Sequence, residues 1–243
     1  MRQARTALNP VLPAVRLASK EEFALKTVRI WFKKTGAARF ISHLDLNRCM
    51  ARAVHMAKIP LWYTQGFNPH AFITFALPLS LGMTGERESM DMKIDETKIT
   101  NEEILFRLNK ALPGDLRVFA VTEPKLKPGK IAFASYTLCM EPETGSVCQL
   151  RKEWEQFLSQ EKIITEKKSK SGMLTIDIKP DIRDMQIREE NGKLVSDCIL
   201  PAGSEYNVNP SLLVEAFRKE TDQDFYCEYI RHGLYDASMR NFE

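Results

Sequence analysis

The segment Arg39–Gly82, RFISHLDLNRCMARAVHMAKIPLWYTQGFNPHAFITFALPLSLG, constrains this chain more than any other. Its first half reads as one helix with a marked start and a marked stop. Ser42 is a good N-cap, because its hydroxyl can accept a free backbone N–H of the first turn. Asp45, three residues on, stands where a capping box has Glu or Gln, and its carboxylate suits the positive helix end. Leu46, Met50, Ala53, Val54 and Ala57 form one apolar stripe to about Lys58. Pro60 ends the helix, since a residue before proline is pushed out of the α region. The opposite stripe carries Asp45, Arg48, Arg52 and His55. It reads either as a solvated face of weak ion pairs or as a basic ridge that grips phosphate. The second half is a strand-like LWYT run, a turn through Gly66-Phe67-Asn68-Pro69-His70, a strand AFITFAL and then PLSLG.

The flanks place this segment in an α+β chain. KTVRIWFKK, residues 26–34, alternates Val28, Ile30 and Phe32 against Arg29, Trp31 and Lys33, as a half-buried strand does. ESMDMKID is a second alternating strand, a helix follows from Thr100 or Asn101 to about Leu112, and LRVFAVTEP closes the unit. After a Pro/Gly/Lys linker the pattern returns: a strand at 131–140, a helix from Ser146, strands to residue 200 with a hairpin at Glu190-Asn191-Gly192, a helix from Asn209-Pro210 and a last strand at 225–236. The expected fold is two ferredoxin-like (βαββαβ) units side by side, the second elaborated. The expected division is a flexible leader at 1–25, a first unit at 26–124, a linker at 125–130 and a second unit at 131–243.

Charge and cysteine usage narrow the function. Net charge is only +3, yet residues 26–60 hold eight Lys and Arg against Asp45 alone, a local +7. Such asymmetry suggests one face built for an anionic partner. Five scattered cysteines, with no CxxC pair, argue for a reducing cytosol rather than a disulfide framework. The same absence means that this chain alone cannot hold a cysteine-ligated iron–sulfur cluster. No apolar run approaches membrane-spanning length, and no phosphate-binding GxxxxGK[ST] loop is present.

RFISHLDLNRCMARA, followed by IPLWYTQGFNPH and FALPLSLG, resembles the radical-SAM-linked protein family, a bacterial domain that occurs alone or fused to radical S-adenosylmethionine proteins. The resemblance is strong over residues 28–95. It implies association with a radical-SAM enzyme and no particular reaction for this chain. Any iron–sulfur cluster and S-adenosylmethionine would then belong to the partner. Ala71 stands where the family usually has a second proline, and Phe72 where a basic residue is common.

Three functional readings follow. The first is an accessory protein that binds RNA, transfer or ribosomal, or another anionic partner, through a groove of Arg29, Lys34, Arg39, Arg48, Arg52, Asn68 and His70. The second is a catalytic subunit with His43, Asp45 and His70 at its centre, since histidine titrates near neutrality. The third is a protein–protein adaptor. A metal site is not expected, because His43 and Asp45 are two apart on one helix while helical neighbours are three or four apart. Cys49 reads as a small buried residue. Trp31 beside Arg29 and Lys33 reads either as a stacking platform on the sheet or as a residue covered by the second unit.

Overall fold

The computed structural model describes residues 24–64, 67, 69–169, 172–221 and 223–243. The expected leader lies outside the described residues except for its last two positions, as do Gln65, Gly66 and Asn68. The first half contains β1 (Leu25–Lys34), α1 (His43–Met56), β2 (Ile73–Phe75), β3 (Thr84–Asp95), α2 (Asn101–Ala111) and β4 (Leu116–Thr122). The second contains β5 (Ile131–Pro142), α3 (Val147–Leu158), β6 (Ile164–Ser169), β7 (Gly172–Asp177), β8 (Arg183–Glu190), β9 (Lys193–Pro201), α4 (Pro210–Thr221) and β10 (Phe225–Asp236). The expected helix starts hold. Ser42, Thr100 and Ser146 each accept the backbone N–H three residues on.

One mixed sheet runs through both halves, in the order β4-β1-β3-β10-β5-β9-β8, with β2 against β3. Every pairing in it is antiparallel except the seam, where β10 meets β3 in parallel at Ile230–Thr84 and Arg231–Gly85. The sheet is therefore continuous rather than two sheets side by side. β6 and β7 form a separate two-stranded ribbon. The expected strand at LWYT is reduced to single bridges, Leu61–Ile94 and Tyr63–Ala71. One edge of β3 is shared by β10, by β2 at Met90–Met92 and by Leu61, so each segment gets only a short stretch.

Two apolar cores fill the molecule. Val28, Ile30 and Phe32 pack with Met50, Val54, Met90, Met92, Ile104 and Leu108, which sets α1 and α2 on one face of the first half. Leu138, Met140, Trp154, Phe157, Leu213 and Phe217 make the second core. The reading of β1 as half-buried needs correction, because both its faces are covered. Trp31 is 3% exposed and packs edge-to-face on Phe242, with ring centroids 6.3 Å apart. The chain end is held there by the N–H groups of Lys125 and Leu126, which donate to the Glu243 carbonyl at 3.0 and 2.7 Å. The cover thus comes from Phe242 of the second unit, with Leu126 of the linker packed on the same core, as the second reading of Trp31 expects.

Candidate nucleic-acid interface

Buried cations suspend the two ends of the Arg39–Gly82 segment. The Lys34 ammonium, 1% exposed, donates to the carbonyls of Arg39 and Ile41 at 3.3 Å each. Desolvation holds its pKa below the usual lysine range. The Gly82 N–H donates to the same Arg39 carbonyl at 2.8 Å, so both ends of the segment meet. At the seam, Arg231 pairs with both carboxylate oxygens of Glu88, at 2.9 and 2.5 Å. It also donates to the carbonyls of Leu77 and Pro78, at 3.0 and 3.2 Å. Burial opposes the Arg231 charge, but the Glu88 carboxylate outweighs it and leaves the guanidinium firmly protonated. Asn209 completes the suspension by donating to the Ser80 hydroxyl at 2.9 Å.

Sequence reasoning missed Glu88, Arg231 and Asn209. Part of the signal was there: Glu88 shares the strand parity of Met90 and Met92, and Lys34 that of Val28, Ile30 and Phe32. A polar residue on the core side of an alternating strand is a buried polar group. Nothing local marked Arg231, which lies 143 residues from Glu88.

Two members of the expected groove are corrected outright. Arg29 is fully buried, and its Nε and Nη2 bind the Asp91 carboxylate at 2.7 and 2.8 Å. Lys34 is enclosed as described. A fully buried charge with a bidentate partner is not offered to solvent. Arg39 is partly exposed but engaged, paired with Glu228 of β10 and lying 4.7 Å over the Phe40 ring.

The remaining candidates fall in different places. Asp45, Arg48 and Arg52 line a recess of about 540 Å3 on α1, with Cys49, Met56 and Ala111. Arg48 Nη1 reaches Asp45 Oδ1 at 3.2 Å, and Arg52 has no ion-pair partner among the described residues. The Ser42 hydroxyl donates to Asp45 Oδ2 at 2.7 Å and holds that carboxyl below its usual range. His43 lies instead in a cleft of about 680 Å3, lined also by Leu77, Leu79, Leu81 and Asn207, with its ring 5.2 Å edge-on from Phe75. His70 lines neither; its Nδ1 is 3.0 Å from the Thr64 hydroxyl, which also accepts the His70 backbone N–H at 3.1 Å. Asn68 is outside the described residues. Thus Arg48 and Arg52 stay together with Asp45, whereas His43 and His70 do not join them. Among the described residues no group of three His, Cys, Asp or Glu side chains could hold a metal ion.

The fold is of the mixed α+β class, with one large mixed sheet and four helices among the described residues. Within that class, the chain belongs to the bacterial family described as "Uncharacterized protein conserved in bacteria (DUF2344)", whose model matches residues 27–210. That description is silent on radical-SAM chemistry. No curated protein matches the chain. Among solved structures, a Cbf5-Nop10-Gar1 complex resembles it at 9% identity and a TM-score of 0.47, over 85% of this chain and 48% of the other. The chain thus spans about half the length of that match. An unknown protein from Galdieria sulphuraria gives 9% identity and a TM-score of 0.26, over 84% of this chain and 98% of the other. Likenesses this slight bear on neither fold nor function. No described helix is long and apolar enough to cross a membrane.

Proposed function

We propose that this chain is a cytosolic binding protein that takes up RNA on the basic edge of α1 and works beside a radical-SAM enzyme. The observation that carries the RNA reading is the pair Arg48 and Arg52, exposed over one recess with Asp45 as their only acidic neighbour there. Guanidinium groups match phosphate oxygens in a bidentate fork. The Arg48–Asp45 pair is solvent-exposed and weak, so a phosphate can displace it. The enzyme partner is implied by the sequence resemblance. Its seat would be the apolar rim where the two ends of the segment meet: Phe40, Leu44 and Leu81 are 61%, 59% and 64% exposed. The iron–sulfur cluster and S-adenosylmethionine would sit in that enzyme. Each half is read as a ferredoxin-like unit on its strand order, β4-β1-β3-β2 and β10-β5-β9-β8, which puts last, first, third and second strand side by side once the separate β6–β7 ribbon is set aside.

A gel-shift titration against transfer and ribosomal RNA tests the RNA reading. Binding should weaken steeply with salt, and Arg48→Ala with Arg52→Ala should reduce both affinity and salt slope. Absent binding, or binding unchanged in the double variant, would falsify it. Co-purification with the radical-SAM protein, lost in Leu44→Asp, tests the partner.

A further inference from the structure

Of the two readings of Trp31, stacking platform or covered residue, the second holds, since Trp31 is 3% exposed. The sheet face opposite α1 and α2 nevertheless carries a second aromatic site. Lys93 lies on β3 between Met92 and Ile94, whose side chains enter the helix-side core, so Lys93 points the other way. Its ammonium sits 5.1 Å from the Trp62 ring centroid and 4.9 Å from that of Phe72. The two rings stand edge-to-face, 6.3 Å apart, and both are partly exposed. Beside them opens a recess of about 390 Å3, walled by residues 124–128 and lined by Thr27, Phe72, Thr74, Lys93 and Lys127.

The charge of this recess is positive. Asp91 lines it, but Arg29 neutralises that carboxylate from beneath. Glu243 engages Lys125 at 2.6 Å. Lys93 and Lys127 have no carboxylate partner among the described residues. A Lys127 ammonium and a Lys93 ammonium that touches only ring faces, beside the Phe72 ring, fit a ligand that is both flat and anionic. Aromatic stacking with cationic capture of the backbone is how unpaired nucleotides are held. The volume lies within the roughly 300–1,000 Å3 of ligand pockets, at the small end, where one nucleotide fits and a duplex does not.

We propose that this recess takes one unpaired nucleotide of an RNA strand, its base against Phe72, with Trp62 next to that ring outside the lining, and its phosphates on Lys93 and Lys127. The inference rests on the RNA-binding reading and adds a single-strand site on the face opposite the α1 edge.

Tryptophan emission gives a test independent of α1. The chain has three tryptophans, and Trp31 and Trp154 are 3% and 0% exposed, so Trp62 is the one a ligand can reach. The full chain is titrated with octa-uridylate, with a blunt RNA duplex and with adenosine monophosphate. Octa-uridylate should quench emission saturably, and Trp62→Phe should remove the quench while the strand still binds. Lys127→Glu, a surface change that leaves the fold intact, should weaken octa-uridylate binding about tenfold or more. It should leave the duplex, which engages Arg48 and Arg52, unchanged. RNA binding with unaltered Trp62 emission and no effect of Lys127→Glu would overturn this inference alone. Adenosine monophosphate binding as tightly as the strand would overturn it too, in favour of a free nucleotide. If neither RNA binds, the wider reading falls with it.

Discussion

β3 carries a buried arginine pair on each of its faces, and the two are built alike. On the helix side Glu88 holds Arg231 of β10 at the seam; on the far side Asp91 holds Arg29 of β1. Both pairs are bidentate. Both arginines also reach past the carboxylate to loop carbonyls: Arg231 to Leu77 and Pro78, Arg29 to Leu126 at 2.8 Å. Each pair therefore fixes one wall of a candidate site, the PLSLG loop on one side and the linker on the other. They differ in how they are closed. Every Arg231 nitrogen has a partner. Arg29 leaves Nη1 without one and is capped by the Phe242 ring, 4.1 Å from its guanidinium carbon. The seam pair joins strands of both halves, whereas the far pair lies within the first half and is covered by Leu126 and Phe242.

The sharpest way to break this parallel is Glu88→Ala. It strands a buried guanidinium, and a loss of about 3–5 kcal/mol is expected in urea unfolding. Adding Arg231→Met should recover much of that loss, since an apolar replacement of a buried pair is often close to neutral. Failure to recover would mean that the carbonyl bonds to Leu77 and Pro78 matter more than the ion pair. Phe242→Ala probes the far pair. The ring is 1% exposed, and its removal should cost about 3 kcal/mol and shift Trp31 emission to the red as water enters. An unshifted spectrum would show that the linker alone closes this face.

Ser42→Ala tests a smaller element that neither pair supports, the start of α1. Loss of the cap should cost about 1 kcal/mol near pH 6. The Asp45 carboxyl titrates below its usual range because of the Ser42 hydroxyl, so its contribution is full above the unfolded value of about 4. It is lost as pH falls through the lower folded value. The gap between Ser42→Ala and the parent in urea midpoint should accordingly narrow below about pH 4. A gap constant down to pH 2.5, on the order of 1.5 units under the unfolded value, would show that the cap acts without the carboxylate.

Local chemistry made much of this chain legible. Ser42 starts α1 and Thr100 and Ser146 start their helices, while α1 stops at Met56, short of Pro60, with Lys58 at φ 52°, and the even residues Val28, Ile30, Phe32, Met90 and Met92 of β1 and β3 fill one core as their period implies. These are short-range effects, in which a hydroxyl or a side-chain period acts within a few residues. Arg48 and Arg52 could be placed together for the same reason, being one helical turn apart.

Tertiary structure decided the rest. Whether a cation is an anchor or a binding group depends on what lies across from it, and for Arg29, Lys34 and Arg231 that partner is tens to more than a hundred residues away or a backbone carbonyl without sequence signature. The covering of Trp31 by Phe242 is set by where the chain end returns. The parallel seam of β3 and β10, which makes one sheet of two similar halves, joins residues that no local pattern relates. Charge and hydrophobicity are properties of residues, but burial belongs to pairs of distant segments, and it was burial that separated the structural cations from the exposed ones.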